Sequence, residues 1–171
     1  MPRVSNEKKN LNRLAGEFLV ASRFAQRGYM ISLQWGTTIG YDILVFDKTG
    51  KVAFLEVKTS ASFKRDWILQ AKFANRRADA IPQSKRFVAC VDMSDPNNKP
   101  SVYVFPAIIV AKGIQYYFNE RLPNSPSINL PLDKKPQGRG RDPNTKTVGE
   151  YINANMYLEN FDIVKLGKIL H

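Results

Sequence analysis

Two apolar runs, Ile39 to Phe46 and Lys51 to Thr59, flank Asp47-Lys48-Thr49-Gly50, and this stretch restricts the fold more than any other. Asp in the first place and Gly in the fourth mark a type I turn that closes into a bulged three-residue hairpin loop. The two runs then pair antiparallel, with Asp47 facing Lys51. Counting five residues back from Asp47 and five on from Lys51 brings Asp42 opposite Glu56, with Cβ atoms about 4.5–5.5 Å apart. Lys58, two residues beyond Glu56, shares that face. Leu44, Phe46, Val52 and Phe54 line one side of the pair, and Ile43, Val45, Ala53 and Leu55 the other. Such strands are expected at the centre of a sheet, covered on both sides.

Like charges directly opposite one another destabilise a sheet, so a purely structural hairpin gains nothing from Asp42 against Glu56. A hard divalent cation removes the conflict. Magnesium, or manganese in its place, takes oxygen ligands and is commonly held by one or two carboxylates, with water in the remaining positions. Asp42 and Glu56 are therefore candidate metal ligands, and Lys58 a candidate for positioning a water or stabilising charge on a phosphate. The same residues also read as structure alone: Glu56 and Lys58 as a plain ion pair, and Asp42 as a strand-end residue satisfied by backbone amides.

A third carboxylate points the same way. Residues 7 to 28 read as an amphipathic helix, capped at Ser5 or Asn6 and stopped by Gly28. With Glu17 as origin, Phe24 falls about 20° to one side, and Ala21 and Leu14 about 40° and 60° to the other. Glu17 thus occupies the apolar face, which is costly without a partner. Completing or tuning the metal site supplies a reason.

Other chemistries are scarce. Cys90 is the single cysteine, set in the apolar run Phe87 to Val91, so disulfides and thiolate zinc sites are excluded. His171 is the single histidine, which removes histidine-based general bases and most catalytic triads. Catalysis here must run on carboxylates and lysine. Twenty-six Lys and Arg against fifteen Asp and Glu leave a charge of +11, which suits a polyanionic partner such as a nucleic acid. Candidate backbone contacts are Lys64, Arg65, Arg76 and Arg77, with Lys135, Arg139 and Arg141 on a basic arm that reads equally as a solvated loop. No run approaches the roughly 18 apolar residues of a membrane span. Residues 1–6 lack the apolar segment of a signal peptide, so a cytoplasmic location is expected.

Along the rest of the chain, strands are predicted at Met30 to Trp35, Trp67 to Gln70, Phe87 to Met93 and Val102 to Phe105. Helices are predicted at 71–81 and from Ala107 to Tyr116. Residues 1–118 form the expected core. The proline-rich, basic stretch 119–147 is expected as an irregular loop, and 148–171 as a segment docking back as a helix and strand.

Gly40-Tyr41-Asp42 followed by Glu56-Val57-Lys58-Thr59-Ser60, with Gly16-Glu17 on the preceding helix, resembles the core of the PD-(D/E)XK nuclease superfamily. Tyr41 stands where the nominal proline would be. Trp67-Ile68-Leu69, Arg86 to Asp92, Tyr103 to Pro106 and Val110-Ala111 extend the resemblance. It implies an α/β fold of restriction endonuclease-like type: a mixed sheet of four or five strands flanked by helices, in αβββαβ order. It also implies a magnesium-dependent endonuclease acting on DNA, in which the Val57 carbonyl joins Asp42 and Glu56 at the metal and Lys58 assists the nucleophile. Two cuts need two sites, hence an expected homodimer. The alternative is a silent copy of the fold that only holds nucleic acid or a partner protein.

Overall fold

The computed structural model describes residues 5–34, 40–71, 81–138 and 142–164. Helix α1 spans Asn6–Ala25, with Ser5 as its cap accepting from the Lys8 amide. Strands β1 (Met30–Leu33), β2 (Ile43–Phe46) and β3 (Val52–Ser60) follow, then β4 (Asp66–Gln70), β5 (Arg86–Asp92) and β6 (Ser101–Pro106). Helix α2 is Ala107–Tyr117, β7 is Ser127–Pro131, and α3 is the single turn Val148–Tyr151. The helix expected at 71–81 lies almost wholly outside the described residues.

One mixed sheet runs β1-β2-β3-β5-β6, in which β3 and β5 are parallel and the other neighbours antiparallel. The fold is α/β with five strands flanked by helices, as expected. The hairpin also forms as the sequence requires. The Gly50 amide donates to the Asp47 carbonyl and the Asp47 amide to that of Lys51, while Gly50 takes φ +79°, where a side chain would be strained. Asp47 accepts from the Thr49 amide and hydroxyl and from the Lys51 amide, and these bonds lower its pKa, the Thr49 hydroxyl foremost.

Alternation divides the sheet into two layers. On one side, Ile43, Val45, Leu55, Val57, Phe87, Ala89, Val91, Val102 and Val104 pack with Val20, Ala21 and Phe24 of α1. On the other, Val88, Cys90, Tyr103 and Phe105 pack with Val110 and Ile114 of α2 and with Trp67, Leu69, Ile128, Leu130 and Leu132. The expectation that β2 and β3 are covered on both sides holds for one face only. Leu44, Phe46, Val52 and Phe54 are half-buried, because α2 and the smaller sheet cover the β5–β6 half; Tyr41 packs edge-on against Phe54.

Residues 119–147 depart from the expected loop. Within them β7 pairs antiparallel with β4 as a separate two-stranded sheet, and Ile128, Leu130 and Leu132 are buried against α2. The chain beyond Val148 turns through α3 and two 3-10 turns, Ala154–Tyr157 and Phe161–Val164; among its described residues no strand forms, and Leu158 makes an isolated bridge to Tyr103. Phe161 packs edge-to-face on Phe24 at 4.8 Å, so this segment straps the α1 layer. No helix of the described residues is long and apolar enough to cross a membrane.

Candidate active site

β3 outruns its partner. The ladder with β2 ends at Ile43 opposite Leu55, in the register that the turn dictates, whereas β3 continues to Ser60. Among the described residues, β3 from Glu56 to Ser60 is paired through β5, from Val88 to Asp92. This leaves a notch in the sheet, and the candidate residues gather around it.

Asp42 does not extend the ladder to Glu56, contrary to expectation. Its amide donates to the Leu55 carbonyl at 2.8 Å, so Asp42 and Ile43 both face Leu55, the arrangement of a β-bulge. Its Oδ2 then accepts from the Val57 amide at 2.7 Å. The physical reason is local. Direct opposition would set two carboxylates against each other, while the bulge carries Asp42 to an amide that has lost its β2 partner. By the two-residue period, the Val57 carbonyl turns toward the same open edge.

Glu56 is 7% exposed and lies in the layer of Val88 and Cys90. Its Oε1 sits 2.7 Å from Lys58 Nζ, while Oε2 is buried with no hydrogen-bond partner among the described residues. Burial pushes the Cys90 thiol up, with Lys58 pulling it down and Glu56 reinforcing the rise, so both charges lie close beneath it. A buried carboxylate oxygen without a donor is destabilising, more so than a neutral one. It suits a cation.

Glu17 reaches the notch from the opposite layer. Gly16 lets α1 approach β3 so closely that a Cβ there would fall 1.9 Å from Thr59 Oγ1. Glu17 is 6% exposed and pairs with Arg13 Nη1 at 2.5 Å. Its pKa is raised, by burial first and then by the negative charge of Asp42; Arg13 and Lys58 oppose the rise. Glu17 therefore faces Asp42 and Lys58 across the notch. Among the described residues, no three or more His, Cys, Asp or Glu form a group that could hold a metal ion. The expected three-carboxylate set is thus not assembled, since the sheet separates Glu17 from Glu56 and each has its own cation. Asp42, Glu56 and the Val57 carbonyl are the oxygens left to serve one. Arg13 escaped the sequence reading, although its position four residues before Glu17 on one helix face was the signal.

The candidate phosphate contacts divide. Lys64 is exposed. Arg65 works inside the fold: Nη1 pairs with Asp133 at 2.9 Å, the guanidinium lies 5.8 Å above the Tyr103 ring, and the backbone holds Asp92 and Leu132. Lys135 donates to the Asp142 carbonyl within its own loop. Arg76, Arg77, Arg139 and Arg141 lie outside the described residues. Beside Lys58 opens a groove of about 360 Å3, lined from α1 by Lys9 and Asn12, along the β3 end by Thr59 to Phe63, and from β4 by Asp66 and Ile68. Lys9, Asn12 and Phe63 were not singled out from the sequence.

No protein-family model matches the chain, and no curated protein matches it. Solved structures similar to it include two nucleases. A bacterial homing endonuclease is 15% identical, with 95% of this chain and 92% of that one covered, at a TM-score of 0.48. Hjc, a Holliday junction resolvase of the archaeal hyperthermophile Archaeoglobus fulgidus, is 12% identical, with 82% of this chain and 95% of that one covered, at a TM-score of 0.43.

Proposed function

We propose that this chain is a metal-dependent deoxyribonuclease that hydrolyses phosphodiester bonds at the notch beside β3. The observation that carries the reading is the buried Glu56 oxygen without a donor, on a carboxylate that pairs with Lys58 and stands next to Val57, whose amide holds Asp42. Asp42, Glu56 and the Val57 carbonyl are the groups that would hold magnesium, or manganese in its place. When bound, such an ion polarises a phosphoryl oxygen and makes a water more acidic.

The side chains supply the rest. The Val57 amide fixes Asp42 through Oδ2 and so holds its carboxylate at the open edge. Glu56 pairs with Lys58 at the mouth of the groove, where the ammonium can orient the attacking water and stabilise charge gathering on the phosphate. Water adds to phosphorus as the bond to the leaving oxygen breaks, and that oxygen takes up a proton. Glu17 tunes the charge from the far layer. The +11 balance favours a polyanion, and a homodimer would bring two such sites to a duplex.

A second reading has its own observation. Lys58 already pairs with Glu56, Asp42 already caps an amide, and no larger carboxylate group is present among the described residues. A silent module that only binds nucleic acid fits those pairings. Incubation with linear, branched and single-stranded DNA separates the two. The enzyme cleaves with magnesium, stops with chelator, and loses at least about a hundred-fold in rate as Lys58→Ala, the scale of one lost charge-stabilising group. Salt-sensitive binding without cleavage under any divalent ion removes the nuclease reading.

A further inference from the structure

The groove next to Lys58 carries an aromatic ring that the fold leaves in solvent on purpose-built backbone. Phe63 is 65% exposed, yet its chain is tied down: the Ser60 hydroxyl, itself buried, donates to the Phe63 carbonyl at 2.5 Å and accepts from the Phe63 amide at 3.3 Å. Ile68, 63% exposed, stands on the same wall from β4. Trp67 lines the groove too, but it is buried, with its indole N–H given to the Val91 carbonyl. Among the described residues, Phe63 is therefore the ring available there to a ligand.

The charges of the groove choose the ligand. Lys9 and Lys58 line it and exposed Lys64 follows Phe63. Its acidic residue, Asp66, is already engaged by Lys134 and by the Asn129 amide, each at 3.1 Å. A flat apolar surface flanked by ammonium groups suits a flat ring carried on a phosphate backbone. Base pairs in an intact duplex keep their faces stacked on each other, so only an unpaired base can offer its face to Phe63.

We propose that this groove holds an unpaired nucleotide of a DNA strand, its base stacked on Phe63 and its backbone drawn by Lys9 and Lys64, so that the strand beside Lys58 is single or splayed. The proposal rests on the nuclease reading for its purpose, since the bound nucleotide would neighbour the bond to be cut. Its test does not need cleavage.

Binding is measured in chelator, by anisotropy, on a labelled single-stranded oligonucleotide and on a blunt duplex of the same sequence. Phe63→Ala is expected to weaken single-strand binding about ten-fold, from one lost stacking contact, and to leave duplex binding within about two-fold. Phe63→Trp should restore it and Phe63→Leu should not, because the contact needs a planar face. A strand carrying 2-aminopurine should lose fluorescence on the wild-type protein and keep it on Phe63→Leu. Equal loss on both nucleic acids, no loss on either, or full binding by Phe63→Leu overturns the proposal. Single-strand binding that depends on Phe63 without any cleavage in magnesium retains the proposal and rejects the nuclease. Cleavage with binding indifferent to Phe63 does the reverse.

Discussion

Gly16 and Thr59 touch so closely that the helix and the central strand meet there without room for a methyl group. A Cβ on Gly16 would stand 1.9 Å from Thr59 Oγ1 and 3.2 Å from Thr59 Cβ. Thr is stiff at χ1, so yielding space there means leaving its rotamer or moving the helix. This contact sets the height of α1 over β3, and with it the reach of Glu17 toward Asp42 and Lys58.

Gly16→Ala should therefore destabilise the fold. The helical preference for Ala over Gly offers about 1 kcal/mol, whereas overpacking costs about 1–3 kcal/mol and can exceed it. Chemical denaturation of Gly16→Ala, Thr59→Ala and the double variant measures the coupling between the two positions. The double variant should recover part of the loss. A stabilised Gly16→Ala protein would mean that α1 rides higher than described, and that Glu17 does not reach the notch.

The Glu56 carboxylate gives a prediction of metal linkage. With one oxygen on Lys58 and the other buried without a donor among the described residues, it is under-satisfied, and on the proposed reading a metal ion would complete it. Ligands that bind only the folded state raise its stability by mass action, about 2.7 kcal/mol at a hundred times the dissociation constant. Magnesium or manganese should raise the Tm of the wild-type protein, and chelator should reverse the rise. Glu56→Gln should lose the response while remaining folded, because the amide fills the same space without a charge. A Tm increase of equal size in Glu56→Gln would locate the ion elsewhere.

Much of this arrangement is visible in the residues themselves, and the failures have physical causes. The Asp47–Gly50 turn fixes the hairpin register because a three-residue loop with Gly at positive φ admits one pairing. The place of Glu17 follows from helical periodicity, since one turn geometry serves every helix. The bulge at Asp42 does not follow, because it depends on where β2 stops, and that is settled by tertiary packing. The strand β7 was hidden by Pro126 and Pro131, which read as loop punctuation. Yet Ile128, Leu130 and Leu132 alternate with a period of two, the pattern of a half-buried strand, and Pro131 ends β7 at the edge of its small sheet. Arg65 looked like a phosphate contact by composition. Its partner Asp133 lies far along the chain, so no local pattern could reveal the pairing.

Glu17 makes the pH dependence specific. Burial, and then the Asp42 charge, raise its pKa above the ordinary 4.5, so between 4.5 and the raised value the folded protein holds a proton that the unfolded chain has released. Stability must then fall as pH rises through that window, because the folded state binds more protons there. Above it, Glu17 is ionised in both states and its cost is constant; below 4.5 it is protonated in both, and that cost is absent. Glu17→Gln cannot ionise and should lack this decline. The measurement is denaturant unfolding of both proteins from about pH 4 upward, compared as a difference so that the other titrating groups cancel. The wild-type curve should drop relative to the variant on the alkaline side of 4.5. The opposite slope would mean that Arg13 and Lys58 outweigh burial and hold Glu17 as a stabilised anion, which would make it a permanent charge at the notch.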